Sequence, residues 1–274
     1  MDLLYFLAPS LAASLVLTGI LAYLGVHIVE RGVIFVDLAL AQIAALGASM
    51  AVLLGVDMHG AEAYWISLTF TLLGAVFFSV VRSRDSRIPQ EAIIGITYAV
   101  ASAAAILVMS QAVGETEHLR EMLVGNILVV SWEEVGTTAI LCAAVGAFHY
   151  RFRRKFLLLS ANPKEAEVQG LSLPWWDFLF YASFGVVVTS AVAIAGVLLV
   201  FCYLIVPSVG AMLFAKTMGR RLAIGWGMGT LVSALGIYLS LEMDLPTGAA
   251  IVCTFGAVLV LMAVVRVLFL RKAC

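Results

Sequence analysis

From Phe178 to Pro207 the chain runs thirty residues without an Asp, Glu, Lys or Arg. As one α-helix that stretch would be roughly 45 Å long, half as long again as the hydrocarbon core of a bilayer, about 30 Å. A segment so apolar needs a membrane, and one so long needs a division. Gly196 offers a break within it, and Pro207 a kink or a second break. Shorter apolar runs recur along the rest of the chain. The candidate spans are 4–29, 33–55, 62–81, 91–113, 133–150, 177–195, 197–215, 222–241 and 246–269. Hydrophobic residues make up 63% of the 274 positions and charged residues 12%, with a mean hydropathy of +1.09. Ordinary soluble domains carry roughly twice that share of charge. The expected fold is all-α: a polytopic transmembrane bundle of eight or nine spans, forming one transmembrane domain over 1–274.

The first apolar stretch has no basic leader and no convincing cleavage site before Arg31, so it reads as a membrane helix rather than a removed signal peptide. Cys142, Cys202, Cys253 and Cys274 show no zinc-site spacing. The net charge of −1 gives no hint of a nucleic-acid partner. The placement of charge is more informative. With nine spans, fifteen of the sixteen Lys and Arg residues fall on one side, leaving Arg120 on the other. The basic side is cytoplasmic by the positive-inside rule. That places the N-terminus outside and the C-terminus inside, with acidic outer loops around Asp57–Glu62, Glu115–Glu134 and Glu242–Asp244.

Two loops are long. The outer one, 114–132, contains Leu119–Leu128, which is suited to a short helix on the membrane surface. The inner one, 151–176, opens with a basic run and then carries a compact helix signature. Asn162 is a cap, Pro163 a first position, Glu165 a first-turn acid, and Gly170 a stop, with Ala166 inside the turn. It is either a linker helix or a docking helix for a cytoplasmic partner.

Asp37 lies inside an apolar segment, where a carboxylate is costly. It either reaches the cytoplasmic interface or pairs with Arg31, or it lines a substrate path. Gln42 follows in the same helix. Glu91, after Pro89, either complements the start of the next helix or faces that path. His27 and His149 read as interfacial histidines rather than ligands. Small residues at Ala41/Ala44/Ala45/Ala48 and Gly225/Gly229 have helix-packing spacing. No phosphate-binding GxxxxGKS/T loop is present, so any ATP hydrolysis must come from another polypeptide.

Five blocks then fall into place together. They are Glu30-Arg-Gly-Val-Ile-Phe-Val-Asp37 followed by Ala41-Gln-Ile-Ala-Ala-Leu-Gly47, Ala92-Ile-Ile-Gly-Ile96, Asn162-Pro-Lys-Glu-Ala166 with Gly170, Gly196-Val-Leu-Leu-Val200 with Leu204-Ile-Val-Pro-Ser-Val-Gly-Ala211, and Asp244-Leu-Pro-Thr-Gly248. In this order the chain resembles the zinc/manganese-type metal permeases of bacterial ABC importers over nearly its whole length. The resemblance implies a homodimeric permease in the bacterial inner membrane and a divalent metal substrate (zinc, manganese or iron). It also implies a separate cytoplasmic ATPase dimer that binds ATP and docks on the 160–170 helix, and an extracytoplasmic metal-binding protein. Asp37 and Gln42 would contact the ion, while Gly196 and Pro207 would permit a broken gate segment. The family's Asp-x-x-x-His becomes Asp37 and Ala41 here. Gln42, five residues on, lies about 140° away around a straight helix, and shares a site with Asp37 only if the helix bulges or unwinds. A rival reading is a proton-coupled secondary transporter that uses Asp37 and needs no ATPase. Another is a structural or regulatory membrane subunit that transports nothing.

Overall fold

The computed structural model describes residues 2–57, 60–81, 89–111 and 127–270. Among them there is no strand. The helices are α1 (Asp2–Arg31), α2 (Val36–Leu53), α3 (Ala61–Val80), α4 (Gln90–Met109), α5 (Trp132–Arg151), α6 (Arg153–Ala161), α7 (Pro163–Val168), α8 (Leu173–Phe214), α9 (Met218–Glu242) and α10 (Thr247–Val265). A 3-10 turn, Ile127–Val129, precedes α5, and a π-turn, Arg266–Leu270, follows α10. The surface helix expected around Leu119–Leu128 lies almost wholly outside the described residues.

Seven of these helices are long and apolar enough to cross a membrane. The 20-residue α5 has the length, but it carries Glu133, Glu134 and Arg151 at its two ends. The 42 residues of α8 would extend roughly 63 Å if straight, enough for two crossings. At Gly196 the backbone leaves the helical region, with φ 74 and ψ 161. Glycine is what makes that conformation affordable, because a Cβ there is strained at positive φ. Counting α5 and dividing α8 at Gly196 gives nine segments. Pro207, by contrast, lies within continuous helix, so the second break does not form. It forfeits one N–H, and the neighbouring Ser208 hydroxyl donates to the carbonyls of Leu204 and Ala22 at 2.7 and 3.1 Å.

The chain folds as two compact units. One comprises Met1–Val29, Leu123–Ala143 and Ile194–Cys274; the other comprises Glu30–Met122 and Ala144–Ala193. The hydrophobic effect does not drive helices together in lipid, so close backbone approach and hydroxyl contacts take its place. In the first unit, a Cβ added to Gly25 of α1 would overlap the Leu204 carbonyl, and one added to Gly229 of α9 would overlap the Thr18 methyl group. The fully buried Tyr203 donates its hydroxyl to Ser14 Oγ at 3.0 Å and lies 3.2 Å from Ser233 Oγ. In the second unit, Gly47 of α2 sits against Ser67 and Phe70 of α3. Thr71 and Tyr64 of α3 meet Thr189 and Ser190 of α8 through hydroxyl pairs of 3.0 Å each. Of the small residues with packing spacing, Ala41, Ala44, Ala45, Gly225 and Gly229 are buried, while Ala48 is only half-buried.

Gly25→Ala should therefore lower the stability of the detergent-purified protein by about 1–3 kcal/mol through overpacking. Gly95→Ala, with nothing within 4 Å of its added methyl, should leave the thermal midpoint unchanged or higher. A thermal unfolding series comparing the two checks this.

Candidate substrate-path and coupling site

The turn between α1 and α2 is built from Gly32, at φ 67, and from a Val36 N–H to Val33 carbonyl bond of 3.1 Å. It delivers Asp37 as the second residue of α2. The side chain is 1% exposed, and its Oδ1 has no hydrogen-bond partner among the described residues. An interface-seeking carboxylate would be wet, and a structural one would be bonded, so this geometry favours neither bland explanation. The expected pairing with Arg31 does not form, because Arg31 is engaged elsewhere. Its Nη1 donates to Asp177 Oδ1 at 2.7 Å and its Nε donates to Ser160 Oγ at 3.0 Å. The guanidinium carbon lies 4.0 Å from the centre of the Phe180 ring. The two charged side chains are 6% and 1% exposed. Reading the sequence alone missed Asp177. The available clue was a second acid at the edge of a span, on the same side of the membrane as Arg31.

Gln42 is buried, and α2 runs without interruption from Val36 to Leu53. No bulge absorbs the extra residue, so Asp37 and Gln42 point about 140° apart and do not share a site. Ala41, close to Asp37's face, is buried and has no ligand atom. Glu91 sits in the first turn of α4, yet its Oε1 accepts the Phe35 N–H at 3.2 Å, just before α2 begins. Its carboxylate thus completes the start of α2 from a neighbouring helix, a third option beside those read from the sequence. His27 and His149, near the ends of α1 and α5, are both buried within the protein. His27 meets Tyr23 edge-on, while His149 stacks on Phe156 at 4.3 Å and bonds Ser183 through Nε2 at 2.8 Å. Among the described residues no three His, Cys, Asp or Glu side chains cluster as a metal site.

The inner loop is more helical than its basic composition suggests. Arg153, Arg154 and Lys155 open α6 on its exposed side, while Phe156, Leu159 and Ser160 are buried on the other. That is the i, i+3, i+4 pattern of an amphipathic helix, obscured in the sequence by the run of charges. The short α7 follows at once. Asn162 Oδ1 accepts the Glu165 N–H at 3.3 Å and Pro163 occupies the first position. At the other end Gly170 adopts φ 79. Its N–H bonds the Glu167 carbonyl at 2.9 Å, and the Leu171 N–H bonds the Ala166 carbonyl at 3.0 Å. That pair of bonds is a Schellman cap. Only Ala166 of α7 is buried, whereas Lys164, Glu165, Glu167 and Val168 are exposed.

Removing one member of the buried ion pair should be costly. Asp177→Ala would strand the Arg31 guanidinium and lower stability by about 3–5 kcal/mol, measurable as a fall in the thermal midpoint of the purified protein.

Comparison with known proteins agrees with this architecture. The chain is 25% identical over 254 residues to the manganese import system permease protein ScaB of Streptococcus gordonii, covering 91% of this chain and 87% of that one. It is 22% identical over 253 residues to the chelated iron transport system membrane protein YfeD of Yersinia pestis, covering 90% and 81%. Among solved structures, PsaBC from Streptococcus pneumoniae in complex with Fab superposes with a TM-score of 0.78 at 23% identity. That match covers 94% of this chain and 90% of the other, and shows the shared fold. Residues 3–266 match the ABC 3 transport family, and the chain belongs to that family of multi-span membrane proteins.

Proposed function

We propose that this chain is the membrane-spanning permease subunit of an ATP-binding-cassette importer for divalent manganese or iron, working by alternating access. The observation that carries this reading is the buried Asp37 carboxylate, with one oxygen unbonded among the described residues, at the start of a membrane helix. A buried carboxylate with an oxygen that no described residue bonds is suited to a passing cation. Carboxylate and other oxygen donors favour manganese-like ions over those that prefer imidazole, and Ala41 supplies no imidazole. The manganese and iron importers among the relatives support the same choice. Gln42, directed elsewhere on α2, does not join Asp37, and Glu91 supports the start of α2 through the Phe35 N–H.

The chain itself is not the ATPase. Hydrolysis resides on a separate cytoplasmic subunit, whose dimer would dock on α7. The support is its exposed surface, including Val168 at 83% exposure, on a helix whose ends are fixed by Asn162, Pro163 and Gly170. Glu165 and Ala166 shape its outer and inner faces. The remaining partners are a second copy of this chain, lipid, and an extracytoplasmic metal-binding protein. The segregation of Lys and Arg supports an inner-membrane orientation with α7 and the C-terminus in the cytoplasm. Residues 1–274 would act as one permease domain, with Gly196 as the hinge of the gate segment and Pro207 riding within its helix.

The test is manganese uptake into proteoliposomes containing this chain and its cognate ATPase. Uptake should require ATP, and Asp37→Asn should reduce it about ten-fold or more while the complex still assembles. Unchanged uptake by Asp37→Asn would remove Asp37 from the path. Transport by this chain alone, driven by a proton gradient, would replace the whole reading with a secondary transporter.

A further inference from the structure

Both flanks of α7 converge on one side chain. Ser160, at the end of α6, lies two residues before the cap Asn162, and Asp177 is the fifth residue of α8. The two side chains hold the same guanidinium, that of Arg31, through Nε and Nη1. Arg31 is in turn the last residue of α1. Gly32 follows it in the left-handed region, and Asp37 enters α2 a few residues later. On the far side of that short turn, the Phe35 N–H is held by Glu91 of α4.

We infer that Arg31 is the positioning residue that links the α6–α7–α8 elbow to the turn carrying Asp37, so that movement of α7 changes the setting of the ion-contacting carboxylate. This rests on the functional reading above and deepens it. The connection from α7 to α8 is four residues long and closed by the Schellman cap, so α7 cannot shift without carrying the start of α8. The contact it meets there is a buried charge pair. Such a pair has discrete arrangements rather than a continuum, because any slip leaves a desolvated charge unmatched. The rigid fork of arginine serves both arms at once, which the single ammonium of lysine would not do. Its third nitrogen, Nη2, is buried with no hydrogen-bond partner among the described residues. That spare donor is available to a second arrangement of the elbow. Gly32, with open space around it, provides the swivel between Arg31 and α2.

The test uses the chain co-reconstituted with its ATPase and reads manganese transported per ATP hydrolysed. The informative variant is Arg31→Met with Asp177→Leu, which leaves no uncompensated charge and so preserves folding. The double variant should assemble and hydrolyse ATP at close to the parental rate, while manganese moved per ATP falls about ten-fold. Arg31→Lys should fall between the two. Should the double variant not assemble, Ser160→Ala removes one arm and keeps the charge pair; it should lower the ratio about three-fold, and an unchanged ratio overturns the link. A purely structural pair would leave the ratio unchanged or reduce uptake and hydrolysis together, and either result overturns the link alone. Absence of ATP-driven uptake by the parental chain would overturn the functional reading, and the link with it.

Discussion

The guanidinium of Arg31 has one charge to give, and the second unit is organised around where it goes. Two acids, Asp37 and Asp177, are each buried to within 1% of full exclusion from solvent. An ionised carboxylate in such surroundings needs a counter-charge or several donors. Arg31 takes Asp177, with Ser160 and the face of Phe180 completing its shell. Asp37 is thereby left with an unbonded oxygen close to the α1–α2 turn. The satisfied pair ties the end of α1 to the start of α8.

The α6–α7–α8 elbow shows how local and non-local forces divide the work. Asn162, Pro163 and Gly170 fold α7 with bonds that span no more than five residues, so its ends are set by residues inside it. Its placement comes from outside. Phe156 packs with His149, Trp176 and Phe180, and Lys155 lies 4.5 Å from the Trp176 ring centre, so that α6 is pinned by aromatic contacts. A helix of six residues has no stability of its own, and its exposed surface persists because both neighbours are anchored.

Packing in lipid imposes a further constraint. Close contact through Gly25 and Gly229, together with the hydroxyl contacts of Tyr203, holds the first unit where burial alone supplies no driving force. The break at Gly196 belongs to the same economy of means. A positive φ interrupts the ladder at one residue, whereas Pro207 stays within continuous helix.

Hydrophobic run length, charge segregation, the Gly196 division and the caps of α7 were all legible in the sequence, since each depends on residues near one another in the chain. So was Asp37, because a lone acid in an apolar run needs an explanation wherever it is found. The partners were not legible. Arg31 and Asp177 are 146 residues apart, Phe35 and Glu91 are 56 apart, and α6 looked like a charged loop until its buried face met α5 and α8. Sequence by itself determined that this chain must be a membrane bundle with an acid inside an apolar run and a short capped helix between two spans. Only the tertiary structure decided which acid Arg31 neutralises, because one cation near two buried carboxylates pairs with the one that packing brings within reach.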